Sequence, residues 1–211
     1  MHRIRELFYL LSRFYDCKEW WPVHENTDPF LEISIGAILT QNTNWKNVER
    51  AVNNLIKEGL LNWEKLDTVR IEKLKECIRP AGFYNQKATY IKSFVRAVKD
   101  LPAENITRDF LLSIKGIGEE TADSILLYGL GRPYFVVDAY TKRLFYRIGI
   151  IKKQNLSYRK VQEMVMEVFS ADVHTYRLFH ALIVEHCKEY CRKKPNCTEC
   201  PIRNICRQNL K

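Results

Sequence analysis

No stretch of this chain approaches the ~20 consecutive apolar residues of a membrane-spanning helix. Its first residues, Met1-His2-Arg3-Ile4-Arg5-Glu6, also lack the uninterrupted apolar core of a secretory signal. The two absences predict a cytoplasmic protein with no membrane partner. Strand-like alternation is missing too: Tyr134-Phe135-Val136-Val137 is the one short β-like run, and so brief a run between two helical segments reads as an extended connector. Internal repeats and low-complexity tracts are absent. Cysteine is scarce outside one place: of seven, Cys17 and Cys77 stand alone and the other five crowd into residues 187–206. A secreted chain would spend such thiols on disulfides; inside a cell the cluster reads as a metal site.

What is present is helix. Ile4, Leu7, Phe8, Leu11 and Phe14 mark one apolar face at helical spacing. Similar faces recur over residues 29–40, 44–58, 67–78, 85–99, 107–114 and 119–130, with further helices fitting 138–148, 157–169 and 174–190. The expected fold class is all-α. The 211 residues, 46% apolar and 12% aromatic, suffice for one large domain or two small lobes with a filled core. The strongest break is Gly129-Leu130-Gly131-Arg132-Pro133, where glycine ends one helix and proline stops its continuation. The 34 Lys+Arg against 25 Asp+Glu leave a net charge of +9. That balance favours a polyanionic partner without choosing among DNA, RNA and an anionic membrane.

The densest chemistry lies between residues 115 and 138. Lys115-Gly116-Ile117-Gly118 reads as a tight hairpin between a helix ending near 114 and one opened by Glu119. Glycine at 116 and 118 permits positive φ and close approach of backbone N–H groups to a phosphate, with Ile117 as a plug into the core and Lys115 as a phosphate partner. About twenty residues on, Val136-Val137-Asp138 places a carboxylate at the start of a helix. There N–H donors and the helix dipole favour its anion. The plainer readings are a glycine turn between packed helices and an ordinary N-cap worth ~1 kcal/mol.

Three segments in order, Leu39-Thr40-Gln41-Asn42-Thr43, Gly116-Ile117-Gly118 and Val136-Val137-Asp138, resemble those of the helix-hairpin-helix DNA glycosylases of the endonuclease III superfamily. The resemblance covers nearly the whole chain. It implies a monomeric, nucleoid-associated repair enzyme acting on double-stranded DNA that contains damaged bases. It further implies a six-helix lobe over 23–132, a second lobe joining 1–22 to 133–211, and DNA in the cleft between them. Asp138 is then catalytic, stabilising an oxocarbenium-like sugar and orienting water, while Gln41 fills the space left by an extruded base. In bifunctional members a lysine just after the hairpin forms a Schiff base with the sugar. The matching position here is Glu120, which cannot form an imine, so the strand-cutting route is expected to be absent.

Trp20-Trp21-Pro22 combined with these segments resembles one branch, the 3-methyladenine DNA glycosylases of the endonuclease III type. The chemistry agrees. A purine alkylated at N3 or N7 is cationic and leaves easily, and an indole face attracts a cationic ring by ~1–2 kcal/mol. Either Trp20 or Trp21 supplies that wall, with Glu120 as a source of negative potential; as a bare pair, two tryptophans read as core anchors. The expected function is therefore monofunctional hydrolysis of the N-glycosidic bond of alkylated purines. The alternatives are the same fold acting on mismatched or oxidised bases, and a non-catalytic DNA-binding or damage-sensing protein.

Cys191-x5-Cys197-x2-Cys200-x5-Cys206 leaves zinc and iron–sulfur both open on spacing alone. The resemblance implies a [4Fe–4S] loop, although the family's usual first spacing is six residues. Cys187, one helical turn before Cys191, is the competing first ligand; Cys191 shortens the loop by one residue where Cys187 would lengthen it more. The loop residues Arg192, Lys193 and Lys194 carry charges suited to phosphate. His24, His174, His180 and His186 show no spacing that demands a special role.

Overall fold

The structure is a computed structural model that describes residues 2–17 and 20–207. Among these residues it contains eleven α-helices and no strand, and no helix is long and apolar enough to cross a membrane. The chain forms two compact units, one from Trp21–Arg132 and one from Met1–Trp20 with Pro133–Lys211.

The Trp21–Arg132 unit is organised around α2 (Pro29–Thr40), in which every residue from Leu31 to Leu39 is buried. A helix buried on all sides belongs at a core's centre. α3 (Trp45–Lys57), α6 (Tyr84–Val98) and α8 (Glu119–Ser124) pack around it. Its start is fixed by Asp28, which accepts from the backbone N–H groups of Phe30 and Leu31 at 2.9 and 3.1 Å, with Pro29 as the first helical residue. Lys87 serves its other end. Only 1% exposed, its ammonium donates to the carbonyls of Leu39 and Ala81, both at 2.8 Å. These carbonyls would otherwise be buried without donors at ~1–3 kcal/mol each. Burial pulls the Lys87 pKa down to about 8.

The apolar period over 67–78 resolves into two helices, α4 (Trp63–Thr68) and α5 (Ile71–Ile78). The extended backbone of Val69 and Arg70 separates them, and Lys92 donates to the carbonyls of Asp67 and Val69 beside the break. α7 (Arg108–Ser113) and α8 flank the glycine hairpin. The helix expected over 119–130 changes pitch, since α8 ends at Ser124 and Ile125–Gly129 continue as a π-turn.

The second unit contains α1 (His2–Ser12), α9 (Ala139–Arg147), α10 (Tyr158–Met166) and α11 (Val173–Glu189). Phe135, Phe145, Tyr176 and Phe179 are fully buried and form its aromatic core. Removing any one would cost about 3–5 kcal/mol for a Phe→Ala change. Arg3 ties α1 to the chain's later segments by donating to the carbonyls of Ile148 and Ile205 at 2.6 and 3.0 Å.

Candidate functional site

The hairpin is held from three directions. Thr107 caps α7 through the Phe110 N–H at 3.2 Å. The N–H of Ile117 closes the turn on the Ile114 carbonyl at 3.0 Å, and Ile117 is 5% exposed, plugged into the core. Gly116 has φ +90°, and a Cβ there would lie 2.1 Å from Cγ of the Tyr90 ring. Glycine is thus required twice, for the left-handed backbone and for the ring packed against it. Gly118 differs: its φ is −95° and nothing lies within 4 Å of where a Cβ would stand. Its missing side chain leaves open space at the first turn of α8.

Gln41, at the C-terminus of α2, donates its amide to the Gly116 carbonyl at 2.9 Å and to Thr121 Oγ1 at 3.0 Å. Below the turn, Arg108 forks onto buried Asp123 at 2.7 and 3.1 Å and reaches Glu119 at 3.5 Å, clamping α7 to α8. Lys115 and Glu120 are both exposed.

In the other unit, buried Phe135, Val136 and Val137 anchor the extended connector that leads into α9. Gln162 donates to the Phe135 carbonyl at 2.7 Å. Asp138 is the N-cap of α9. Its Oδ1 accepts from the Thr141 N–H at 2.7 Å and from the Thr141 hydroxyl at 2.9 Å, while its Oδ2 lies 3.6 Å from Nε2 of His180. Burial pushes the Asp138 carboxyl toward its neutral form, but the His180 contact and the Thr141 donors outweigh it. Its pKa therefore lies below the usual carboxylate range. The side chain keeps 13% of its surface open, so an ionised carboxylate is available to a developing positive charge or to a water.

The adjacent tryptophans part company. Trp20 belongs to the unit of Asp138 and packs edge-on to His180, with ring centres 5.3 Å apart. Its indole N–H donates to Glu185 at 2.7 Å. Trp21 belongs to the other unit and packs against Tyr128 at 4.8 Å, Trp45 at 5.4 Å and the bare Cα of Gly36. Trp21, Pro22 and Trp45 line a recess of about 170 Å³ together with His24, Glu32 and Glu49.

Cys191 and Cys206 both touch Arg147, the first through its guanidinium at 3.3 Å and the second through its carbonyl at 3.5 Å, and Cys200 Sγ lies 3.7 Å from Nε2 of His186. Cys187 lies buried beside Cys191 with its thiol 3.7 Å from the Tyr140 carbonyl. Among the described residues, no group of three or more His, Cys, Asp or Glu side chains is set to hold a single metal ion. Arg147, 7% exposed, donates to the carbonyls of Cys191, Arg192 and Lys193 at 3.2, 2.6 and 3.1 Å and to Cys191 Sγ at 3.3 Å. It braces the loop from which Arg192, Lys193 and Lys194 project into solvent.

Residues 35–171 match the model of the HhH-GPD superfamily of base excision DNA repair proteins. The chain belongs to that superfamily. A Methanocaldococcus jannaschii protein assigned to the DNA repair glycosylases is 46% identical, over 96% of this chain and 95% of that protein. Endonuclease III of Sulfolobus acidocaldarius is 31% identical over 83% and 81%. Among solved structures, H. pylori 3-methyladenine DNA glycosylase bound to 1,N6-ethenoadenine superposes with a TM-score of 0.73 at 30% identity, covering 89% of this chain and 96% of that one. An endonuclease III–DNA complex superposes with a TM-score of 0.83 at 23% identity, over 98% and 95%, and attests the fold.

For an HhH-GPD glycosylase the sequence readings divide cleanly by unit. Gln41, Lys115, Gly116, Ile117, Gly118, Glu120 and Trp21 fall in Trp21–Arg132, and Asp138, Trp20, the four cysteines and Arg192–Lys194 in the other unit. Three residues escaped the sequence reading. Tyr90 shapes the hairpin from a distant helix, Arg147 braces the cysteine loop, and His180, passed over as ordinary, faces Asp138. Nothing local in the sequence marks Tyr90 or His180. Arg147 shares its helix with Asp138, two turns on, but its basic charge blends into a basic chain.

Proposed function

We propose that this glycosylase hydrolyses the N-glycosidic bond of alkylated purines such as 3-methyladenine and leaves an intact abasic site. The observation that carries the reading is the Asp138 carboxylate, held in its ionised form by Thr141 and His180 yet partly open. A carboxylate so fixed stabilises the ribosyl cation that forms as the base departs, and it orients the water that replaces the base. An alkylated purine already carries positive charge and leaves without strong acid catalysis. Its recognition then rests on electron-rich faces, which Trp20 and Trp21 offer, the latter backed by Trp45 and Tyr128. The exposed Glu120 on the first turn of α8 supports a monofunctional course, because no amine stands there to form an imine.

The open space at Gly118 and the exposed Lys115 suit a backbone phosphate, and Arg192, Lys193 and Lys194 suit another. Insertion of Gln41 into the duplex would exchange its two hydrogen bonds to the hairpin region for bonds to DNA. Cys191, Cys197, Cys200 and Cys206 fit as ligands of a [4Fe–4S] cluster by residue type and spacing, with Arg147 touching both Cys191 and Cys206. When bound, such a cluster fastens the C-terminal segment and takes no part in bond cleavage.

The test is incubation with methylated duplex DNA in the presence of borohydride. The expected products are free methylpurine and DNA with abasic sites, with no protein–DNA adduct. A trapped adduct would refute the monofunctional course, and release of oxidised pyrimidines in place of 3-methyladenine would refute the substrate.

A further inference from the structure

Asp138 presents two oxygens, and they are treated differently. Oδ1 takes both Thr141 donors, as any capping carboxylate does, whereas Oδ2 faces the imidazole of His180 across 3.6 Å. We propose that His180 is the positioning residue of Asp138, with Nε2 carrying the proton and holding Oδ2 in the direction and charge state that base release needs. This rests on the glycosylase reading above and extends it to the residue behind the carboxylate.

Three observations separate this role from that of a packed core histidine. First, the imidazole is 4% exposed, and burying a polar ring is costly unless its nitrogens have work to do; an apolar ring would fill the same space more cheaply. Second, the ring is walled on two sides, perpendicular to Trp20 at 5.3 Å and to Phe135 at 6.5 Å, with interplanar angles of 86° and 89°. These walls fix the direction of its polar edge. Third, the Trp20 wall is itself anchored. Its N–H is bound to Glu185, Lys188 pairs with the same carboxylate at 2.7 Å, and the Lys188 ammonium lies 5.6 Å from the indole centre. A continuous line of contacts thus runs from surface Lys188 through Glu185, Trp20 and His180 to Asp138, all inside one compact unit. The distance to Oδ2 is longer than a strong hydrogen bond. Contacts of this kind shorten when the site is occupied.

Among the described residues the titratable side chain in contact with this carboxyl is His180 of α11, and Thr141 on α9 gives it neutral donors. Cys187, two turns along α11, is held as a neutral thiol by its hydrogen bond to Cys191 and by burial. The N-terminal segment contributes the neutral Trp20 and the connector the neutral Phe135.

His180→Phe keeps both aromatic contacts and deletes the nitrogen; His180→Gln keeps a donor. With the Asp138 carboxyl labelled with ¹³C in the full chain and assigned against Asp138→Asn, the expected result is an upward move of its titration midpoint in His180→Phe and a smaller move in His180→Gln. Single-turnover release of methylpurine should fall by about 10²-fold in His180→Phe, with DNA affinity unchanged, and recover in part with Gln. An unmoved Asp138 midpoint in a folded His180→Phe protein overturns the proposal. Should that variant fail to fold, the parent decides. The ¹⁵N shift of His180 Nε2 must follow the Asp138 titration and report a bound proton, and an independent shift or an unprotonated Nε2 overturns the proposal. A parent that releases no methylpurine would sink the glycosylase reading instead, while the two titrations still decide between His180 and Asp138.

Discussion

The two turns to which the proposed function assigns the chemistry are built in opposite ways. The hairpin at Gly116 is a turn whose backbone is forced: φ is +90°, a ring lies where any Cβ would be, and Gln41 and the Arg108–Asp123 fork lock its flanks. The turn at Asp138 uses ordinary extended backbone with a standard cap, and only its side chain is specified, by Thr141 on one oxygen and His180 on the other. Under the proposed function the difference follows from what each presents. A turn that offers main-chain N–H groups must have its main chain fixed, whereas a turn that offers a carboxylate needs only the carboxylate aimed and ionised.

That contrast breaks in defined places. The largest stability effect should come from Asp123→Asn, which takes a charge away from the fork of a buried ion pair. The cost is about 3 kcal/mol or more by urea unfolding, and DNA affinity should fall with it because α7 and α8 lose their clamp. Next, Gly116→Ala should cost about 1–3 kcal/mol through backbone strain and the Tyr90 clash. Gly118→Ala, in ordinary φ and open space, should stay within about 0.5 kcal/mol of the parent while weakening binding to duplex DNA. Equal destabilisation of the two would contradict the distinct roles given to the two glycines.

The smallest effects lie in pH. His24 is raised by its hydrogen bond to Glu32, against the opposing pull of burial. Its contribution is full below the ordinary histidine value of 6.5 and is lost as pH rises through the raised folded value. The stability gap between parent and His24→Gln should therefore shrink on the alkaline side. Asp138 has the opposite sign. Its lowered carboxyl contributes above the ordinary value of 3.8 and loses that contribution as pH falls through the folded value. The gap between parent and Asp138→Asn should accordingly close on the acid side. Thermal melts across both limbs check the two signs.

The same contrast explains what the sequence made legible. The helices of the fold follow from apolar spacing because α3 and its neighbours bury residues at that spacing, Val48, Ala51, Val52 and Leu55 among them. Local punctuation marked the hairpin and the cap, since Gly116, Gly118 and Asp138 act within a few residues of themselves. The split of 67–78 and the π-turn after Ser124 stayed hidden because an apolar period runs through both without registering a change of pitch. Tyr90 and His180 stayed hidden because their partners are brought to them by packing. A tyrosine on a half-buried helix face and a histidine in an apolar helix carry no mark of such a partner.

The most direct measurement is single-turnover release of 3-methyladenine from duplex DNA by the parent and by Asp138→Asn, with DNA affinity measured on the same preparations. A parent that releases the base, and a variant slowed by about 10²–10⁴-fold at unchanged affinity, are the predicted results. Equal rates for the two proteins, or no release by the parent, would contradict the role given to this carboxylate.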